Sequence, residues 1–93
     1  MQPDVGLCGG FTEAKKVCDY ADVYDIRIQA HVRGGPVATA ASLHLETAIP
    51  NFLIHEHHTY AIKDWNRELC LQDPQPIDGF FHVTEVPGIG IEL

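Results

Sequence analysis

The sequence predicts an α/β fold in which helices alternate with parallel strands, and three observations carry that prediction. Two stretches place apolar residues at helical spacing, two others read as strands, and three ionisable residues recur at nearly equal intervals. The order is strand end, helix, strand, helix, strand, which calls for right-handed crossovers and hence parallel strands.

Each element follows from its own residues. From Thr12 to Tyr24, the residues Ala14, Val17, Cys18 and Ala21 make an apolar helical stripe, with Glu13, Lys16 and Asp19 free to face water. Gly9 and Gly10 mark the loop before this helix, Thr12 is the expected N-cap, and Glu13 suits the first turn. Asp25 to Val32 then alternates, with Ile26, Ile28 and Ala30 on one side and Arg27, Gln29 and His31 on the other. That polar face meets solvent in an open sheet and lines a polar interior in a barrel, and periodicity does not choose between them. Gly34-Gly35-Pro36 opens a second, alanine-rich helix from Val37 to Ala48, which Pro50-Asn51 stops. Phe52-Leu53-Ile54 is a short apolar strand running into His55-Glu56.

After Glu56 the regular pattern is lost. A helical turn is expected between Ile62 and Leu69, a late strand from Gly79 to Val83, and turn material at Pro87-Gly88-Ile89-Gly90. The chain therefore divides into residues 1–56, the β/α units, and residues 57–93, a tail packed back upon them.

Composition narrows the function. Hydrophobic residues make up 45% of the 93 and charged residues 20%, as in an ordinary packed domain. A formal charge of −7 disfavours phosphate backbones and anionic lipid, so nucleic acid and membrane are excluded as expected partners. No apolar stretch approaches the roughly 20 residues of a membrane span. Cys8, Cys18 and Cys70 form no close Cys-x-x-Cys pair and are odd in number, which fits a reducing, cytoplasmic setting.

The chemistry is read from spacing. His31 follows Asp4 by 27 residues and Glu56 follows His31 by 25, each interval being one β/α unit. Parallel strands end on one edge, so the three side chains meet at the face where barrel enzymes carry their chemistry. Asp4 and His31 on neighbouring strands can hydrogen-bond, the carboxylate fixing the imidazole tautomer and favouring its charged form; the plainer alternative is a loop-capping Asp and a strand-ending His. Glu56, ending an apolar strand, is expected to be partly desolvated and able to donate a hydrogen bond to a substrate carboxylate, or else to be a solvated or salt-bridged acid. Gly34 and Gly35 before a helix N-terminus offer amides to a substrate carboxylate, with a simple glycine loop as the alternative. His55 and His57 point to the face opposite Glu56, so no metal site is assigned there. Cys8 is expected to be a small buried thiol, and Tyr60 and Trp65 to anchor the tail.

Several stretches in order carry a family likeness: Gln2-Pro3-Asp4, Gly9-Gly10-Phe11-Thr12-Glu13-Ala14, Ala30-His31, Ala40-Ala41-Ser42-Leu43-His44, Ile49-Pro50-Asn51-Phe52 and the tail Pro87-Gly88-Ile89-Gly90-Ile91-Glu92-Leu93. Together they resemble the mandelate racemase subgroup of the enolase superfamily, and within it the galactonate dehydratase type. The resemblance implies a (β/α)₇β TIM-type barrel with a capping domain, of which these residues are the last β/α units and the returning tail. It implies that Asp4, His31 and Glu56 end the sixth, seventh and eighth strands. It also implies a carbon-oxygen lyase (hydro-lyase) of carbohydrate metabolism. In that reaction, loss of the proton α to a carboxylate gives a Mg²⁺-stabilised enediolate and the β-hydroxyl departs, protonated by His31, while Glu56 bonds the enediolate oxygen. The three acidic Mg²⁺ ligands and the second base belong to strands that these residues do not match. A whole barrel takes about 250 residues, so the 93-residue chain is expected to be inactive alone, with an uncovered apolar face that favours a complementary barrel fragment or a second copy. The rival readings are a racemase or cycloisomerase of the same superfamily and a non-catalytic acidic α/β interaction module.

Overall fold

A computed structural model describes residues 1–93. It contains three helices, α1 (Gly10–Asp22), α2 (Pro36–Thr47) and α3 (Asp64–Arg67), the first two close to the ranges their periodicity predicts. In α1 the buried stripe is Ala14, Cys18 and Ala21, three small residues that let the helix sit close on the layer beneath. The expected Thr12 cap is not formed. The helix starts earlier than expected, at Gly10, so its N-cap is Gly9, which has no side chain to offer, and the first helical amide, that of Gly10, donates to Val5 O at 3.0 Å. Thr12 therefore lies inside the first turn, as Glu13 does. Helix α2 starts with Pro36 in its first turn and is buried on more than one side, at Thr39, Ala40, Ser42, Leu43, Leu45 and Glu46.

Beneath the helices run three extended segments in parallel register. Gln29 N–H donates to Met1 O at 3.1 Å and His31 N–H to Pro3 O at 3.0 Å, joining the first segment to the second. Ile28 N–H donates to Asn51 O and Leu53 N–H to Ile28 O, both at 2.8 Å, making a parallel bridge between Ile28 and Phe52. The expected alternation is present: Ile28, Ala30 and Val32 are buried while Arg27, Gln29 and His31 face the other way, although Ile26 is exposed. Val5, Ala14, Cys18, Ala21, Ile28, Leu45 and Ile49 form one core, with Cys8 and Ala41 packed against it. Cys8 is half-buried, not buried as expected.

The predicted strands do not become continuous ladders, and the reason is local. Pro3 has no N–H to give to its neighbour. On the other side the parallel pattern would next send Ala30 N–H to Leu53 O and Val32 N–H to His55 O. Ala30 N–H instead donates to Glu46 Oε1 at 3.2 Å, and Val32 N–H to Glu56 Oε2 at 2.7 Å. Two carboxylates thus replace two backbone acceptors, and the segments part after the Leu53 amide.

The tail departs further from expectation. The helical turn shrinks to the four residues of α3. The late strand over residues 79–83 is absent: Asp78 (φ 51°) and Gly79 (φ 82°) make a two-residue reversal that returns Phe80 onto Ile77 in an isolated antiparallel bridge. Beyond Phe80 the chain forms no β-bridge and is tied back by single contacts such as Leu71 N–H to Glu92 O. Tyr60 and Trp65 stack loosely, with ring centroids 6.0 Å apart, yet both are exposed and anchor nothing in the core. No helix is long and apolar enough to cross a membrane.

Candidate active site

Asp4 is set by its own turn. Its Oδ1 accepts Gly6 N–H at 2.8 Å and its main-chain oxygen accepts Leu7 and Cys8 N–H at 3.1 and 2.8 Å, so the carboxyl group is fixed as the chain leaves the first extended segment. The remaining oxygen, Oδ2, lies 2.8 Å from His31 Nδ1. A carboxylate only accepts, so Nδ1 carries the proton and donates it. That leaves His31 Nε2 with no partner in the chain, on a side chain 37% exposed. Such an imidazole is oriented at one nitrogen and available at the other, the arrangement an acid–base group needs.

Glu56 is half-buried at the end of the third segment, and its Oε2 grips the amide of Val32, the residue after His31. The structure therefore brings Asp4 and His31 into contact and places the Glu56 carboxylate one residue along the backbone from His31. Gly34 has a packing explanation: a Cβ there would come within 2.8 Å of Ala38 Cβ, so only glycine allows this close entry into α2. Gly35 is the N-cap of α2, its oxygen accepting Ala38 and Thr39 N–H, with Leu69 beside it.

His55 and His57 lie together against the ring of Phe81, at centroid distances of 4.7 and 5.2 Å. Burial and the neighbouring His55 push the His57 imidazole below its ordinary range, partly opposed by Asp73. His55 Nδ1 donates to Glu46 Oε2 at 2.6 Å, inside a pair whose side chains are 7% and 3% exposed. The spacing that links Asp4, His31 and Glu56 does not point to Glu46. Its signal was an acid three residues after Leu43, on a helix face otherwise made of small and apolar residues.

A Mg²⁺ ion, which the family resemblance implies, needs several converging oxygen ligands. No group of three or more His, Cys, Asp or Glu side chains converges in this chain. Asp4 is committed to His31 and Gly6, and one Glu56 oxygen to Val32, so these residues do not fit the ion. Two clefts of about 580 and 640 Å³ flank α2 on its tail side, and neither is lined by Asp4, His31 or Glu56.

Comparison with known proteins identifies relatives of the chain. D-xylonate dehydratase of Haloferax volcanii is 36% identical over 93 residues, covering 100% of this chain and 22% of that protein. D-galactonate dehydratase of Pectobacterium atrosepticum is 31% identical over 98 residues, covering 100% of this chain and 26% of its own length. A crystal structure of a member of the enolase superfamily from Salmonella Typhimurium matches with a TM-score of 0.94 at 55% identity, over 99% of this chain and 24% of that one. The chain thus spans about a quarter of the length of the relatives it matches. The resemblance read from the motifs holds, and the family's barrel-type domain fold is supported, although these 93 residues show only isolated bridges where the implied strands would run. A family model described as Enolase C-terminal domain-like matches residues 1–93, and the chain belongs to that family.

Proposed function

We propose that the chain carries the acid side of a sugar-acid dehydratase active site, as the last β/α units of a (β/α)₇β barrel. Residues 1–56 form the rim, and residues 57–93 form the tail that returns toward a capping domain. The observation that supports this most is the 2.8 Å bond from His31 Nδ1 to Asp4, which leaves Nε2 free. The sugar-acid names of two relatives supply the substrate class.

In this reading a base outside these residues removes the proton α to the substrate carboxylate. His31, having taken up a second proton on Nε2 from solvent before the elimination, gives it to the β-hydroxyl as the C–O bond breaks, so that water leaves with the bonding pair. The resulting enol tautomerises to a 2-keto-3-deoxy acid. Asp4 holds the ring through this transfer and stabilises its charged form before the proton is given. The Glu56 oxygen not bonded to Val32, when it carries a proton, donates a hydrogen bond to the carboxylate oxygen on which charge develops. The amides of Gly34 and Gly35, which make no hydrogen bond within the chain, are a further contact for that carboxylate. The divalent ion of this chemistry is assigned to residues outside the chain.

The test is a chimera in which these 93 residues replace the matched segment of the Pectobacterium D-galactonate dehydratase. With Mg²⁺ and aldonic acids it is expected to release 2-keto-3-deoxy product, and His31→Asn is expected to lower the rate about 10³-fold. The 93-residue chain alone is expected to show no turnover. A folded chimera whose rate is unchanged by His31→Asn would refute the proposal. A racemase would instead exchange and invert the α-position without losing water, which the same product analysis distinguishes.

A further inference from the structure

One buried carboxylate touches the backbone or side chain of both residues that precede the proposed rim groups. Glu46, on α2, is 5% exposed. Its Oε1 accepts the amide of Ala30, next to His31, and its Oε2 accepts from the imidazole of His55, next to Glu56. Burying a carboxylate costs several kcal/mol unless hydrogen bonds offset the loss of water, so the site holds Glu46 only because both bonds are made. Neither bond belongs to ordinary sheet structure. The Ala30 amide is the donor that would otherwise continue the ladder to Leu53 O. Glu46 therefore takes the place of a strand partner at the point where the two segments separate. Beyond it the Val32 amide is left for Glu56, and so the direction of the Glu56 carboxylate depends on the ladder staying open.

We propose that Glu46 is a positioning residue: a wedge that keeps the second and third segments apart and so sets the spacing between His31 and Glu56. The inference rests on the functional reading of those two residues. Without the wedge, Ala30 N–H turns to Leu53 O, Val32 N–H to His55 O, and Glu56 loses the amide that aims it. Glutamine at this position retains an acceptor for Ala30 and a polar partner for His55, whereas leucine retains neither.

The test compares Glu46→Leu, Glu46→Gln and His31→Asn in the chimera. Glu46→Leu is expected to lower kcat about 10²-fold with KM little changed, since misplacement by about 1 Å is enough for such a loss, and Glu46→Gln to recover most of it. Near-parental kcat in Glu46→Leu, alongside a large loss in His31→Asn, would overturn the wedge and leave the functional reading standing. Indifference to His31→Asn would overturn the functional reading itself. Amide hydrogen exchange on the 93-residue chain decides the wedge independently. Exchange at Ala30 and Val32 should change together in Glu46→Leu and be parental in Glu46→Gln, and identical exchange in all three proteins would refute it.

Discussion

Residues 1–56 bury two helices against three extended segments, whereas residues 57–93 lie over them with a single four-residue helix. Of the 19 buried residues, only Ala61 and Asn66 belong to the second region. Its order comes from scattered polar ties: Gln75 Nε2 to Ala61 O at 2.9 Å and to Asp73 Oδ2 at 2.6 Å, and Leu71 N–H to Glu92 O at 2.8 Å. The contrast shows where the proposed chemistry can be held to sub-ångström tolerance. Asp4, His31 and Glu56 all end segments anchored in the first region, and none depends on the tail for a hydrogen bond.

Substitutions in the two regions should differ in their cost to stability. Ile28 is fully buried at the only bridge between the second and third segments, so Ile28→Ala should cost about 2–5 kcal/mol in urea unfolding. Asn51 Nδ2 donates to both Cys18 O and Ile26 O at 3.0 Å, so Asn51→Ala strands two carbonyls and should cost about 1–3 kcal/mol by the same measurement. Trp65→Ala, in the tail and more than half exposed, should change stability by less than about 0.5 kcal/mol. A loss there as large as at Ile28 would erase the distinction between the regions.

At the junction the expected effect is one of pH. The folded state holds His57 below its ordinary pKa, so the unfolded chain binds the extra proton and stability is fully present above about 6.5. It should decline as pH falls below that value. Comparing urea midpoints at neutral and mildly acidic pH, the decline should be smaller in His57→Gln, and an equal decline in both proteins would show that other groups carry it.

What the sequence made legible was whatever repeats locally. Ala14, Cys18 and Ala21 announce α1 at helical spacing, Ile28, Ala30 and Val32 announce an extended segment, and the intervals between Asp4, His31 and Glu56 announce a common edge. What escaped depends on contacts distant in sequence. No local pattern says that Glu46 will reach Ala30 sixteen residues back and replace a ladder bond, or that Gly10 will bond Val5 O and start the helix ahead of Thr12. The late strand failed for a related reason. Residues 79–83 have strand-like composition, but the Asp78-Gly79 reversal spends their pairing on Ile77 alone.

The bond from His31 to Asp4 fixes the imidazole with its proton on Nδ1 and leaves the other nitrogen free. Nitrogen-15 NMR of the neutral His31 ring measures this directly, in the parent chain and in Asp4→Ala. Nδ1 should be protonated and Nε2 bare in the parent, with that preference lost in Asp4→Ala. A ring protonated at Nε2 and indifferent to Asp4 would contradict it.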